Sequence, residues 1–139
     1  MNKRTILFLC THNAARSQMA EGFVNVRFGD RYKARSAGSE PTEVHPCAVE
    51  VMAELGIDIS RQRAKLLSEF DDAPCDYVVT MCADAAENCP IFLGGATYLH
   101  HPFDDPVTGA GSGPEQCAPF RYVRDRIGEW IEATFSHNP

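Results

Sequence analysis

A continuous apolar run, Thr5-Ile6-Leu7-Phe8-Leu9, delivers Cys10 into Cys10-Thr11-His12-Asn13-Ala14-Ala15-Arg16-Ser17, and a helix-like pattern follows at once. An apolar run without alternation reads as a strand buried on both faces, so both sides of its sheet must be covered. A strand that ends in a short loop and turns straight into a helix belongs to α/β architecture. The same loop is a cradle for an oxyanion. Its backbone N–H groups can converge inward and the helix adds its positive end. That field favours a thiolate at Cys10, and Arg16 offers a planar fork of donors to an anion. The combination points to chemistry on a tetrahedral oxyanion through a cysteine adduct, against the plainer reading of Cys10 as a small buried hydrophobe.

With 139 residues the chain suits a single domain, 1–139, with a real core. Hydrophobic residues at 44% and charged residues at 23% are ordinary for a folded protein. The formal net charge of -6 argues against nucleic acid as a partner. An acidic protein that binds an anion must do so with a local field, which puts the weight on Arg16 and the loop amides. No stretch approaches the roughly 20 apolar residues of a membrane span. Lys3 and Arg4 precede an apolar run, but it is too short for a signal peptide, so a cytoplasmic monomer is expected.

Strand-like segments at 5–10, 32–36, 76–81 and 98–100 alternate with helix-like ones. Met19, Ala20, Phe23, Val24 and Phe28 form a stripe after Ser17. Pro46 opens a helix to about Leu55, with Val49, Met52 and Ala53 inward and Gly56 as its stop. Ser60 caps a short helix over 60–70, and a last helix spans 119–135 with Phe120, Val123, Ile127, Trp130 and Ile131 on one face. Residues 109–114 read as a flexible glycine-rich loop. The pattern predicts a doubly wound α/β domain whose central parallel sheet is flanked by helices. Cys10 and Cys82 each follow a strand, so both fall at the sheet edge where α/β active sites lie.

Six cysteines, at 10, 47, 75, 82, 89 and 117, fit neither a secreted disulfide framework nor zinc spacing, which leaves redox or nucleophilic use. Asn13 suits a left-handed loop position, and Ser17 can cap the helix, donate to Cys10, or do both. His12 reads as a lining residue rather than a base. A leaving oxygen needs a proton, and Asp104 and Asp105 compete to supply it, with Pro106 stiffening the chain beside Asp105. Closing the seven-residue gap between Cys82 and Cys89 costs about 3 kcal/mol or less of chain entropy. If Cys82 reaches the Cys10 adduct it can expel the reduced oxyanion, and Cys89 can then take over the disulfide. Cys47, Cys75 and Cys117 are read as bystanders.

Taken with Ser36-Ala37-Gly38, Gly56-Ile57-Asp58-Ile59-Ser60, Val79-Thr80-Met81-Cys82-Ala83-Asp84, Asn88-Cys89-Pro90 and Phe103-Asp104-Asp105-Pro106, the Cys10 loop resembles one family across the whole chain. That family is the thioredoxin-linked arsenate reductases of the low-molecular-weight protein tyrosine phosphatase fold. The resemblance implies reduction of arsenate to arsenite, with Cys10 as nucleophile, Arg16 as clamp, Asp105 as general acid and Cys82 and Cys89 as relay. It implies arsenate held by Thr11, His12, Asn13, Ala14, Ala15, Arg16 and Ser17, no bound cofactor, electrons from reduced thioredoxin, and rearrangement of 83–97 on oxidation.

Three positions depart from the family pattern. Ala14 replaces a serine, Val107 replaces the aromatic residue that stacks on phosphotyrosine in the phosphatases, and Lys65 falls where an acid would complete a potassium site with Asn13, Glu21 and Ser36. The competing readings are a phosphatase acting on phosphomonoesters, in which water attacks the adduct, and a non-enzymatic oxyanion- or arsenite-binding protein.

Overall fold

Ile6, Leu7, Phe8 and Leu9 are each no more than 1% exposed, and the strand they form, β1 (Arg4–Leu9), lies inside the sheet. The computed structural model describes residues 3–70, 73–83, 89–107 and 115–136. β2 (Tyr32–Ala37), β3 (Cys75–Thr80) and β4 (Gly95–His100) complete a four-stranded sheet in the order β2-β1-β3-β4. All neighbouring pairs are parallel, with Leu9 level with Ala37 on one side and Thr80 on the other. The chain runs from β1 outward to β2 and then returns to the far side of β1. The crevice at the carboxyl ends of β1 and β3 is therefore the switch point of the topology, where open α/β sheets place their ligands.

Three helices, α1 (Arg16–Arg27), α2 (Pro46–Ala53) and α3 (Ala118–Phe135), connect and cover the strands. Side chains alternate across β1. Ile6 and Phe8 join Met19, Phe23, Met52, Phe120, Ile127 and Phe135 in the larger core, whereas Leu7 and Leu9 join Val78, Phe70 and Phe92 in a smaller one. The expected single α/β domain with a parallel sheet and flanking helices is what forms, with unequal cover on its two faces.

Local expectations differ in several places. The cap of α1 is Ala15 without a side-chain bond, and Ser17 sits inside the first turn. α2 turns Cys47, Ala48, Val51 and Met52 inward, leaving Val49 half-buried and Ala53 exposed, and Gly56 then takes a φ of 76°. Between 60 and 66 no helix forms; a 3-10 turn, Leu67–Phe70, is all that follows. The backbone there is used otherwise. Gly38 N–H donates to Lys65 O at 2.9 Å, Leu67 N–H donates to Gly38 O at 3.0 Å, and an i→i+4 ladder cannot coexist with those bonds. Trp130 is half-buried and packs its ring among His101, Phe103 and Phe135. The glycine-rich stretch 109–114 lies outside the described residues.

Candidate active site

Past β1 the carbonyls turn outward one after another. Thr11 O accepts from Glu40 N–H (2.9 Å), His12 O from Thr42 N–H (3.1 Å), Asn13 O from Gln18 Nε2 (3.0 Å) and Ala14 O from His45 N–H (2.9 Å). In a planar trans peptide the next residue's N–H points opposite to the carbonyl. The N–H groups of His12, Asn13, Ala14 and Ala15 therefore face the concave side, as a backbone nest for an anion requires. Gly38 permits this arrangement. A Cβ there would lie 2.5 Å from Thr11 O and 2.8 Å from Cys10 O.

Asn13 takes a φ of 50° and fixes the polarity of the loop. Its Oδ1 accepts from the Lys65 N–H at 2.9 Å, and a backbone N–H can only donate. Gln18 Nε2 donates to the same oxygen at 2.9 Å. The amide nitrogen of Asn13 is thereby turned to Ser17, donating to Oγ at 2.7 Å. Ser17 Oγ also shares a hydrogen bond with Cys10 Sγ, 2.8 Å away. Ser17 does not cap the helix; its hydroxyl bonds to the Cys10 sulfur. Cys10 is a free cysteine, 2% exposed.

Arg16 is buried, and its Nη1 donates to Phe103 O (3.2 Å) and Met81 O (3.4 Å), beyond the ends of β4 and β3. Its Nη2 lies 3.7 Å from Asp105 Oδ2. Asp105 is partly buried and also accepts from Val107 N–H at 3.0 Å, whereas Asp104 is exposed. His12 is exposed and, with Ala14, Thr42, His45, Pro46 and Val107, lines an open cavity of about 630 Å³ beside the loop.

Met81 N–H donates to Leu9 O at 2.9 Å, which sets Cys82 alongside the loop. Cys82 Sγ is 3.9 Å from the hydroxyl of Thr11, the residue next to Cys10. A disulfide joins Cys82 to Cys89, with Cα atoms 5.8 Å apart. Residues 84–88, within the segment expected to rearrange, lie outside the described residues. The bystander reading fails for two cysteines: Cys47 and Cys117 form a second disulfide between α2 and the start of α3. Their separation of 70 positions gives no spacing cue. Cys75 is free, and burial pushes its thiol up.

The residues that resemble a potassium site do not fit an alkali cation. Lys65 Nζ stands 3.7 Å from Glu21 Oε1, and Ser36 Oγ donates to the same carboxylate at 2.7 Å. Burial pushes the Glu21 carboxyl up and the Lys65 ammonium down, each opposed by the other's charge. Among the described residues no group of His, Cys, Asp and Glu side chains is gathered for a metal ion. The sequence reading missed the outer supports of the loop: Gln18, the Lys65 main chain and the main chain of Glu40, Thr42 and His45. Gly38 was the available signal.

Residues 5–135 match the low molecular weight phosphotyrosine protein phosphatase family. An arsenate reductase of Halalkalibacterium halodurans is 45% identical over 132 residues, 95% of each chain. An arsenate reductase solved in a phosphate-binding state aligns with a TM-score of 0.81 at 29% identity, covering 96% of this chain and 97% of that one. A thioredoxin-dependent arsenate reductase of Corynebacterium glutamicum aligns with a TM-score of 0.66 at 32% identity, covering 94% of this chain and 61% of that one.

Proposed function

Because the chain belongs to the low molecular weight phosphotyrosine protein phosphatase family, and within it is an arsenate reductase acting by cysteine redox chemistry, we propose that Cys10 is the nucleophile and reduced thioredoxin the electron donor. Arsenate sits against the N–H groups of His12 through Ala15 and the guanidinium of Arg16. The hydrogen bond between Ser17 and the Cys10 sulfur orients the nucleophile towards it. The thiolate forms a bond to arsenic, and the departing oxygen leaves as water with a proton from Asp105. Cys82 then attacks the Cys10 sulfur. The sulfur–arsenic electron pair stays with arsenic, which leaves as arsenite, two electrons reduced. Cys89 attacks Cys82, frees Cys10 and closes the Cys82–Cys89 disulfide, which thioredoxin reopens.

The observation that carries this reading is the Cys82–Cys89 disulfide standing beside a free Cys10, the sulfur pattern at the end of one turnover. The dependence on thioredoxin of the related Corynebacterium enzyme supports the choice of reductant. Val107, rather than an aromatic ring, at the mouth suits a small inorganic oxyanion better than a phosphotyrosine. No helix among the described residues is long and apolar enough to cross a membrane. We place the reaction in the cytoplasm, where thioredoxin is kept reduced, and in a monomer, since one chain furnishes every group named.

The test is arsenate-dependent NADPH oxidation coupled through thioredoxin and its reductase. The unchanged chain should turn over continuously, whereas Cys89→Ser should release at most one arsenite per molecule and stop. Equal steady rates would remove the relay, and a phosphatase should keep hydrolysing a phosphomonoester in either form.

A further inference from the structure

The relay uses three of the six cysteines, and two of the remaining three are bonded to each other. We propose that Cys47 and Cys117 are a second dithiol–disulfide couple, independent of the relay, whose oxidised form clamps α2 to α3 next to the anion loop.

The two sulfurs join the beginnings of two helices. Cys47 lies in the first turn of α2 and is 3% exposed; Cys117 is the residue that precedes α3 and is partly accessible. The Cα atoms are 5.1 Å apart, within the range a disulfide spans without moving the backbone. Around the bond the contacts are already made. Cys47 N–H donates to His45 Nδ1 at 3.0 Å, and the His45 ring lies on Phe120 of α3 with centroids 4.5 Å apart. His45 N–H in turn holds the Ala14 carbonyl, so the clamp adjoins the outer wall of the anion loop. At the other end of α2, Arg121 and Arg124 of α3 grip Glu54. The oxidised pair therefore closes the open end of an interface that is ionic at its far end.

The chemistry is exchange with the disulfide of a low-molecular-weight thiol. The more accessible Cys117 thiolate attacks that disulfide, forms a mixed disulfide and releases one thiol. Cys47 then attacks the Cys117 sulfur and releases the second. Two electrons pass from the pair to the small disulfide, and the two protein thiol protons go to the departing thiolates. When the cellular thiol pool is oxidised, the relay stalls as a disulfide and the clamp closes, so the idle enzyme is held folded until reductant returns. Both couples are closed together in this structure.

The experiment uses the full chain with Cys82→Ser and Cys89→Ser, equilibrated in mixtures of glutathione and glutathione disulfide, quenched with acid, alkylated and mapped by peptide mass. A linked Cys47–Cys117 peptide is expected, with Cys10 and Cys75 alkylated. The oxidised form should melt at least about 5 °C above the reduced form of the same chain. Adding Cys47→Ser should abolish both the linkage and the shift. Full alkylation of Cys47 and Cys117 throughout, linkage of either to Cys10, or linkage without a change in melting temperature would each overturn the proposal. Comparing two redox forms of one chain keeps the test valid even if the Cys47→Ser variant folds poorly.

Discussion

A single backbone N–H, that of Lys65, sets which way the Asn13 amide faces. It can only donate, so the Asn13 oxygen must face it and the Asn13 amide nitrogen turns to Ser17, whose hydroxyl also shares a hydrogen bond with Cys10. That Cys10, Asn13, Arg16 and Ser17 gather at one loop was legible in the sequence, because a short loop between a strand and a helix keeps a few neighbouring positions together. The choice between Asp104 and Asp105 was not. Adjacent residues in an irregular segment point in different directions, and only the fold shows which one meets a buried guanidinium. Asp105 lies within 3.7 Å of Arg16 while Asp104 is exposed. Asp105→Asn should therefore slow formation of the arsenate adduct by about a hundredfold or more in a single-turnover assay. Asp104→Asn should stay within about twofold of the unchanged chain, since it loses no contact to the site. Equal losses in the two variants would remove Asp105 from its role.

At the scale of elements, the stripes of α1 and α3 and the apolar run of β1 were legible because each is periodic over its own length. The pairing of α2 with α3 was not, since nothing local records which helix start meets which. The helix expected at 60–70 fails for the same reason: bonds to Gly38 from across the fold outweigh local preference. Glu54 gives the α2–α3 contact its pH dependence. Hydrogen bonding to Arg121, aided by Arg124, lowers its pKa from 4.5 to about 2. A carboxyl depressed in the folded state stabilises above its unfolded pKa and loses that contribution as pH falls through the folded one. The melting temperature of Glu54→Gln should lie below that of the unchanged chain at pH 7. The gap should persist down to about pH 4.5 and close towards pH 2. A gap independent of pH would mean that the ion pair is not its source. The chain-entropy effect of a 70-residue closure, about 4 kcal/mol, makes the neighbouring disulfide the stronger tie.

For the molecule as a whole, the strand order β2-β1-β3-β4 brings Cys10 and Cys82 to one edge, although they stand 72 positions apart in the sequence. Cys89, bonded to Cys82, is partly exposed. Ile91 and Leu93, just after Cys89, are 79% and 89% exposed, close in the chain to the disulfide that the proposed reductant would reopen. Apolar side chains so placed suit the centre of a transient contact. Replacing both by Asp should raise the KM for thioredoxin by roughly tenfold and leave the single-turnover yield of arsenite unchanged. Loss of that yield would assign the two residues to folding instead.

On the proposed reading the main-chain hydrogens of residues 12–15 face the anion, and their directions are fixed by donors that hold the loop carbonyls from outside, so the side chain at position 14 is a spectator to the field it borders. Exchanges at positions such as 14 can reshape the doorway while the charge-binding floor stays as it is. A scaffold of this kind can drift in what it admits long before it loses the ability to hold a tetrahedral anion.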